Sequence, residues 1–260
     1  VSAAVERKSG DGGLFINVME KLTMGAAADT LGTRLRASLD AGIDGITLSA
    51  GLHNGTLKLI KDHPRFHDVK IGIIVSSVRA LKIFLRSGKK VDRAPDYVIV
   101  EGPLAGGHLG FGEDWADYDL KKIVPEVLDF VRTEELEMAV IPAGGIFTGS
   151  DAVEYMEMGC GAVQVATRFT VTEECGLPPA VKQQYFVASE EDVVVNSLSA
   201  TGYLIRMLTN SPAIGSNVKP QCEPLGYTLS SKGTCLYLDA WAATPVDEKG
   251  RKLPVEDRVC

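Results

Sequence analysis

The fold class is indicated most clearly by residues 139–169, AVIPAGGIFTGSDAVEYMEMGCGAVQVATRF. This stretch opens with a short apolar run at residues 139–142 and closes with another at residues 162–166, and a helical pattern occupies residues 151–158 between them. Short apolar runs without strict alternation are typical of parallel strands that are buried on both faces. Because a strand, a helix and a second strand form a βαβ unit, the stretch predicts a parallel sheet.

The same alternation extends toward the amino terminus. Four further strand candidates lie at residues 14–19, 45–48, 70–75 and 97–101. Apolar residues at helical spacing separate them, for example Leu31, Leu35 and Leu39. Similar stripes are formed by Val78, Leu81 and Leu85, and by Leu120, Ile123, Val127 and Val131. Both an open doubly wound sheet and a (β/α)8 barrel fit this pattern, and the count of six strands does not separate them.

The loops after the last two strand candidates favour the barrel. Gly144 and Gly145 follow the first of them, and Thr148 then suits the N-cap of the next helix. The second ends at Ala166, and Thr167 after it offers a hydroxyl and a backbone amide. Free amides at helix starts bind anions, and barrels often hold phosphate with the loops after strands seven and eight. The two loops therefore predict a phosphate site in a (β/α)8 barrel.

A third loop adds a titratable group. The segment EGPLAGGHLG, residues 101–110, leaves the strand candidate that ends at Glu101. Gly106 and Gly107 allow a ligand to approach the backbone closely, and His108 beside them can exchange a proton near neutral pH. Taken alone, this loop fits an ordinary turn with a solvent-facing histidine. Together with the two phosphate-type loops, it indicates an active site with His108 as the catalytic residue.

Composition excludes several classes of protein. The chain has a formal net charge of −7, which argues against nucleic-acid binding but not against an anionic small molecule. Its five cysteines include no CxxC pair, so a zinc site has little support, and reduced thiols suggest the cytoplasm. The sequence contains no run of eighteen apolar residues, so it predicts no membrane span. Pro64 between His63 and His67 disfavours a metal site there.

The character of the sequence changes near residue 210. Beyond it, prolines arrive with several glycines and little periodicity. We therefore expect a barrel domain over residues 1–210 and an irregular extension over residues 211–260. The extension is expected to pack over the core or to join a contact between the subunits of a homodimer. Arg206 is expected to anchor this part of the chain by an ion pair, and Trp115 and Tyr118 to line the substrate pocket or pack beside it.

Several segments together resemble a known family. EGPLAGGHLG, IPAGGI and GAVQVATRF, in this order, resemble the nitronate monooxygenases (2-nitropropane dioxygenase-like) and the related flavin-type enoyl-acyl-carrier-protein reductases. LFINVM at residues 14–19 and LSAG at residues 48–51 resemble two further segments of that family. The resemblance covers about residues 12–210 and implies a barrel that holds FMN.

The resemblance also implies roles for individual residues. Asn17 would contact the flavin, Glu101 would lie near the ribityl chain, and Gln164 would lie close to the same site. His108 would act as the base or as the polar contact of a nitro group. The ribityl phosphate would be surrounded by Gly106, Gly107, Gly144, Gly145, Ala166 and Thr167.

Three departures from the family pattern stand out. The six strand candidates correspond to strands three to eight, so we expect the chain to lack an amino-terminal portion that carries two strands. Ala166 replaces a usual glycine, so a phosphate there must tolerate a methyl group. Residues 73–77, IIVSS, lack the lysine that some monooxygenases carry, which leaves that route of stabilising an anionic reduced flavin in doubt.

Three functions remain open on this reading. The first is FMN-dependent oxidation of alkyl nitronates or nitroalkanes with O2. The second is reduction of an enoyl thioester by NAD(P)H through the same flavin. The third is a barrel that holds a phosphorylated ligand without turnover. All three predict a small-molecule ligand.

Overall fold

The computed structural model describes residues 1–20, 27–197 and 203–211. Its elements follow in the order α1 Ser2–Arg7, β1 Phe15–Met19, α2 Ala27–Asp40, β2 Gly45–Ser49, β3 Lys70–Val75, α3 Val78–Gly88, β4 Tyr97–Glu101, β5 Gly107–His108, α4 Leu120–Thr133, β6 Ala139–Ala143, α5 Gly149–Glu157, α6 Thr167–Thr170, α7 Pro179–Val187, β7 Val193–Asn196 and β8 Ile205–Leu208. Short 3-10 helices occupy Thr56–Leu59, Lys89–Val91, Trp115–Asp117 and Glu190–Asp192.

The main sheet is parallel, as the alternation of strands and helices predicts. Its five strands lie in the order β1-β2-β3-β4-β6. The register places Met19 opposite Ser49, Val75 opposite Val100, and Glu101 opposite Ala143. The carboxyl ends of all five strands therefore lie along one edge, where ligands bind in β/α proteins.

The sixth predicted strand, residues 162–166, is reduced to a single parallel bridge between Ala143 and Gln164. The segment still runs beside β6, since the amides of Gly161 and Gln164 donate to the carbonyl oxygens of Val140 and Pro142 at 3.0 and 2.9 Å. Within the described residues the sheet ends at β6, so no further strand extends this pairing. A regular strand was therefore the wrong prediction for these residues, although their place beside β6 is the predicted one.

Two faces of the sheet have different neighbours. One face contributes Ile46, Leu48, Ile71 and other buried side chains to a large apolar cluster with the helices. The predicted helical stripes lie in this cluster, and Leu31, Leu35 and Leu39 of α2 are all buried there. Burial of each such side chain contributes about 1.5–3 kcal/mol, so this cluster holds the helices to the sheet.

The opposite face carries a smaller cluster, in which Ile74 and Ile141 pack against buried Tyr97, Ile99 and Ala143. Gly72 leaves room for the Tyr97 ring, because a Cβ there would overlap it. The Tyr97 hydroxyl forms a buried hydrogen bond with Thr47 at 2.6 Å. Ile74 of this face also lines the cavity at the carboxyl edge of the sheet.

A second, antiparallel sheet has the order β5-β8-β7. In it Gly107 pairs with Arg206 and His108 with Ile205. Sequence periodicity did not predict this sheet, although Val193–Asn196 is β-branched for most of its length. It joins the loop after β4 to a segment about a hundred residues later. Among the described helices, none has both the length and the apolar character that crossing a membrane requires.

Candidate active site

A cavity of about 540 Å3 opens at the carboxyl edge of the parallel sheet. Six of the ten predicted site residues line it: Asn17, Glu101, Gly106, Gly107, His108 and Gln164. They come from β1, from β4 and its following loop, and from the segment beside β6. The cavity also receives residues that the sequence did not single out, among them Ser49, Arg79 and Tyr203.

Asn17 is held by its neighbour on β2. The Ser49 hydroxyl donates a hydrogen bond to the Asn17 Oδ1. That contact leaves the Asn17 amide nitrogen as a donor toward the cavity, because the carbonyl oxygen is already in use. Asn17 itself is exposed, whereas Ser49 is buried. The pair is therefore suited to present an N–H donor to a bound ligand.

His53 holds the backbone of Ser49, the residue that contacts Asn17. It is fully buried, and its Nε2 donates to the Ser49 carbonyl oxygen at 2.7 Å while its Nδ1 accepts from the Thr56 hydroxyl at 3.0 Å. Burial lowers the pKa of His53, which favours the neutral ring that this hydrogen-bond pattern requires. The residue therefore fixes the end of β2, and its one ring proton is held by the Ser49 carbonyl oxygen.

Glu101 is the only acidic residue that lines the cavity among the described residues. Burial raises its pKa to about 7, although a hydrogen bond from the Gly110 backbone favours the ionised form. A carboxyl group with this pKa changes its protonation near neutral pH, which is typical of functional sites. The structure thus gives Glu101 a possible role in proton exchange beside the cofactor contact that the family resemblance implies.

His108 faces the same cavity from β5. Burial lowers its pKa, so the neutral imidazole is the main form at neutral pH. A neutral imidazole accepts a proton, which is the requirement for a general base. The ring of Tyr203 lies edge-on to it, with 6.4 Å between ring centroids. His108 therefore lies between the turn at Gly106 and Gly107 and the ring of Tyr203.

The glycine turns differ in their surroundings. A Cβ at Gly106 or Gly107 would meet no atom within 4 Å, so a ligand can reach this backbone. Gly144 has φ +97°, and a Cβ there would lie 2.8 Å from the backbone nitrogen of Ala105. Gly144 therefore packs directly against the loop that carries His108, and its lack of a side chain has a structural cause.

The other predicted phosphate contacts lie apart from the cavity lining. Gly144, Gly145, Ala166 and Thr167 are not among the described residues around it. The bridge at Gln164 nevertheless brings their two loops side by side, and Gly145, Ala166 and Thr167 are exposed. Thr148 caps α5 as predicted, since its side chain accepts from the Asp151 amide. A phosphate grip at these two loops stays a prediction.

Three other expectations have definite outcomes. Arg206 anchors its segment, but through the Pro103 carbonyl oxygen and the Trp115 ring instead of an ion pair with a described residue. Trp115 and Tyr118 do not line the cavity; Tyr118 packs on Phe111. Their positions follow from the β5–β8 pairing, which no local pattern reveals.

Metal ligands are not grouped in the described parts of the chain. No set of three His, Cys, Asp or Glu side chains there is arranged to hold an ion. His63 instead lies 3.0 Å from Asp40, and the His67 ring packs edge-on against Phe66. The titratable groups with shifted pKa values that line the cavity are Glu101 and His108.

The fold and site together define a β/α enzyme scaffold that binds its ligand at the carboxyl ends of parallel strands. The sequence profile of the nitronate monooxygenase family matches residues 49–240, which is most of the chain. The chain therefore belongs to the nitronate monooxygenase family, a family of flavin-dependent oxidoreductases.

Solved structures share the fold. A mutant of FabK from Thermotoga maritima has a TM-score of 0.60 and 25% identity, over 81% of this chain and 61% of that one. A nitroalkane oxidase from Streptomyces ansochromogenes has a TM-score of 0.58 and 19% identity, over 75% of this chain and 60% of that one. Both are TIM barrels, so the predicted fold class is confirmed, and the described strands form an open arc of such a barrel.

A relative of different activity is also similar. It is the (3aS,4S,5R,7aS)-5-hydroxy-7a-methyl-1-oxo-octahydro-1H-indene-4-carboxyl-CoA dehydrogenase of Rhodococcus jostii. It is 29% identical over 124 residues, which are 48% of this chain and 31% of that protein. The chain spans less than half the length of the curated relatives that it matches.

Proposed function

We propose that the protein oxidises alkyl nitronates and nitroalkanes with FMN as its cofactor and O2 as the final oxidant. The observation that carries this proposal is the placement of a half-buried, neutral His108 on the same cavity as Asn17 and Glu101. A base, an N–H donor and an open glycine backbone around one cavity of about 540 Å3 suit a flavin and a small substrate. Membership of the nitronate monooxygenase family supports the substrate class.

The residues present fit a flavin. Asn17 has its amide nitrogen directed away from its bond with Ser49, and Gly106 and Gly107 offer backbone with open space beside it. We assign these three residues, with Glu101 and Gln164, to the ring and ribityl chain. We assign the ribityl phosphate to the paired loops at Gly144, Gly145, Ala166 and Thr167.

His108 handles the proton. A neutral nitroalkane must lose its α-proton, and the neutral imidazole of His108 can accept it. A nitronate has already lost that proton, so with this substrate His108 only holds the nitro oxygens. When bound, FMN supplies the electron chemistry, and the protein supplies orientation and electrostatics.

The test compares these two substrates. In a His108→Asn variant, we expect oxidation of nitroethane to fall about a hundredfold or more, the usual range for loss of a general base. Oxidation of preformed ethyl nitronate should fall much less. His67→Asn is the matched control, because His67 is exposed and lies outside the cavity lining. A His108→Asn protein that oxidises nitroethane at the parental rate overturns the assignment.

A second candidate is reduction of an enoyl thioester by NAD(P)H. Similarity to a dehydrogenase of a carboxyl-CoA compound and to FabK supports it. Anaerobic mixing with NADH separates the two functions: rapid bleaching of the flavin favours the reductase, and bleaching by nitronate alone favours the oxidase. A purified protein that is colourless and binds no FMN would instead favour a binding barrel without turnover.

A further inference from the structure

A second cavity of about 350 Å3 lies beside the first, against α3. Its charged lining residues are Lys58, Arg86 and Lys90, and it has no acidic lining residue among the described part of the chain. We call this cavity the basic groove. Ile83 lines both the basic groove and the first cavity, so the two are neighbours across one side chain.

The walls of the basic groove are fixed to each other. Lys58 belongs to the 3-10 helix Thr56–Leu59, whereas Arg86 belongs to α3. The Gly55 amide just before that 3-10 helix donates to the hydroxyl of Ser87, a buried residue of α3, at 3.0 Å. Lys90 lies in the 3-10 helix Lys89–Val91, directly after α3. The three cations therefore come from three elements, and a hydrogen bond ties α3 to the start of the helix that carries Lys58.

No described acidic side chain pairs with the cations of the basic groove. Lys58, Arg86 and Lys90 are exposed, and none forms an ion pair with a described residue. The chain carries 34 acidic against 27 basic residues, so acidic partners are not scarce. Like charges four apart, as at Arg86 and Lys90, repel each other. A bound anion would relieve this repulsion.

One face of α3 continues the positive charge to the first cavity. Within α3, helical spacings of four and three residues place Arg79, Ile83 and Arg86 on one face. Lys90 follows Arg86 by four residues, just after the end of the helix. Arg79 is exposed and lines the first cavity. At 1.5 Å per residue, Arg79 and Arg86 are about 10 Å apart along the helix. A long ligand can therefore span both cavities.

We propose that the basic groove binds the phosphate-bearing end of an extended substrate or co-substrate whose reactive end enters the first cavity. The position of the reactive end rests on the second candidate under the proposed function, reduction of an enoyl thioester by NAD(P)H, whereas the phosphate site does not. Arg binds phosphate through paired hydrogen bonds, and Lys binds it as a compact charge. Two molecules of this chemistry are an acyl thioester of coenzyme A and NADPH, each with a phosphate on a ribose far from its reacting atoms.

The test measures binding by calorimetry, with no turnover. Coenzyme A is compared with dephospho-coenzyme A, and NADPH with NADH, so that each pair differs by one ribose phosphate. The Arg86→Gln/Lys90→Gln variant should bind the phosphorylated member about tenfold more weakly, since each exposed ion pair accounts for a few-fold in affinity. Higher salt should weaken the parental binding further. The control, Lys61→Gln/Lys89→Gln, removes two exposed charges outside the groove and should bind as the parent does.

The outcomes are distinct. A loss with coenzyme A alone identifies the thioester as the source of the phosphate, and a loss with NADPH alone identifies the co-substrate; both support the groove. Equal binding with and without the ribose phosphate in both pairs, unchanged in the variant, overturns it. Since the assay needs no catalysis, a failure of nitroethane oxidation or of FMN binding leaves this result readable. The variant should also keep the parental KM for nitroethane, which carries no phosphate.

Discussion

Arg206 donates a hydrogen bond to the carbonyl oxygen of Pro103 at 2.8 Å and thereby ties the loop after β4 to the last described strand. Its guanidinium also lies 4.7 Å from the centre of the Trp115 ring. The Leu109 amide donates to the Leu204 carbonyl oxygen on the same side of the loop. His108 thus takes its position from a strand that follows it by about a hundred residues.

Replacing Arg206 should loosen this loop. In an Arg206→Leu variant, we expect the free energy of unfolding in urea to fall by about 1–3 kcal/mol, because a charge-assisted hydrogen bond and a cation–π contact are lost. The kcat/KM for nitroethane should fall about tenfold while flavin stays bound. Arg132→Leu is the control, as Arg132 is exposed and among the described residues pairs with exposed Asp129. Parental activity in Arg206→Leu would show that the loop holds His108 without this contact.

Removing the Ser49 hydroxyl should weaken cofactor binding. Without that donor, the Asn17 carboxamide is free to rotate and no longer directs its amide nitrogen into the cavity. One hydrogen bond contributes about 1 kcal/mol, so Ser49→Ala should raise the Kd for FMN about fivefold in a fluorescence titration. Ser150→Ala, at an exposed position of α5, should leave it unchanged. An unaltered Kd in Ser49→Ala would mean that Asn17 does not contact the flavin.

Apolar patterns predicted the parallel sheet and its helices, because buried strands and amphipathic helices need those residues to pack. Leu35 and Leu39 illustrate this: their spacing in the sequence already indicates the buried face of α2. The glycine-rich turn at Gly106 and Gly107 was equally visible, since few other residues allow such an approach of ligand to backbone. The loop that carries His108 followed from these signals, whereas Asn17, Glu101 and Gln164 were indicated by the family resemblance.

Long-range pairing was not visible in the sequence. Tyr203 and Arg206 reach the site only because β8 pairs with β5, and no local spacing encodes that contact. Residues 162–166 have the composition of a strand, yet regular pairing also depends on adjacent strands. Local composition does not show whether an adjacent strand is present. Ser49 could have been suspected from its place at the end of a strand, but its bond to Asn17 depends on the register of β1 and β2.

The stability of the flavin-free protein should depend on pH through Glu101. Its pKa is 4.5 in the unfolded reference and about 7 in the fold, where burial disfavours the charge. Below the lower value the carboxyl is neutral in both states, and between the two values only the unfolded state releases the proton. Stability should therefore decrease as pH rises from 4.5 to 7, by up to about 3 kcal/mol.

Glu101→Gln should remove this dependence, because the amide stays neutral at every pH. Urea unfolding at pH 5 and pH 8 measures the effect: relative to the parent, the variant should gain stability at pH 8. Glu113→Gln, at an exposed residue of the same loop region, should behave as the parent does. A parent and a Glu101→Gln variant with the same pH dependence would place the Glu101 carboxyl in solvent.

A substitution at Gly144 distinguishes a packing role of this glycine from a role in binding phosphate. Its φ of +97° disfavours any side chain, and a Cβ would press against the Ala105 backbone beneath the His108 loop. We expect Gly144→Ala to lower the free energy of unfolding by about 1–3 kcal/mol through strain alone. The control is Gly149→Ala at the start of α5, where a Cβ meets no atom within 4 Å and φ is not in the left-handed region. If Gly144→Ala weakens FMN binding but unfolds at the parental urea concentration, the glycine serves the phosphate and the packing argument fails.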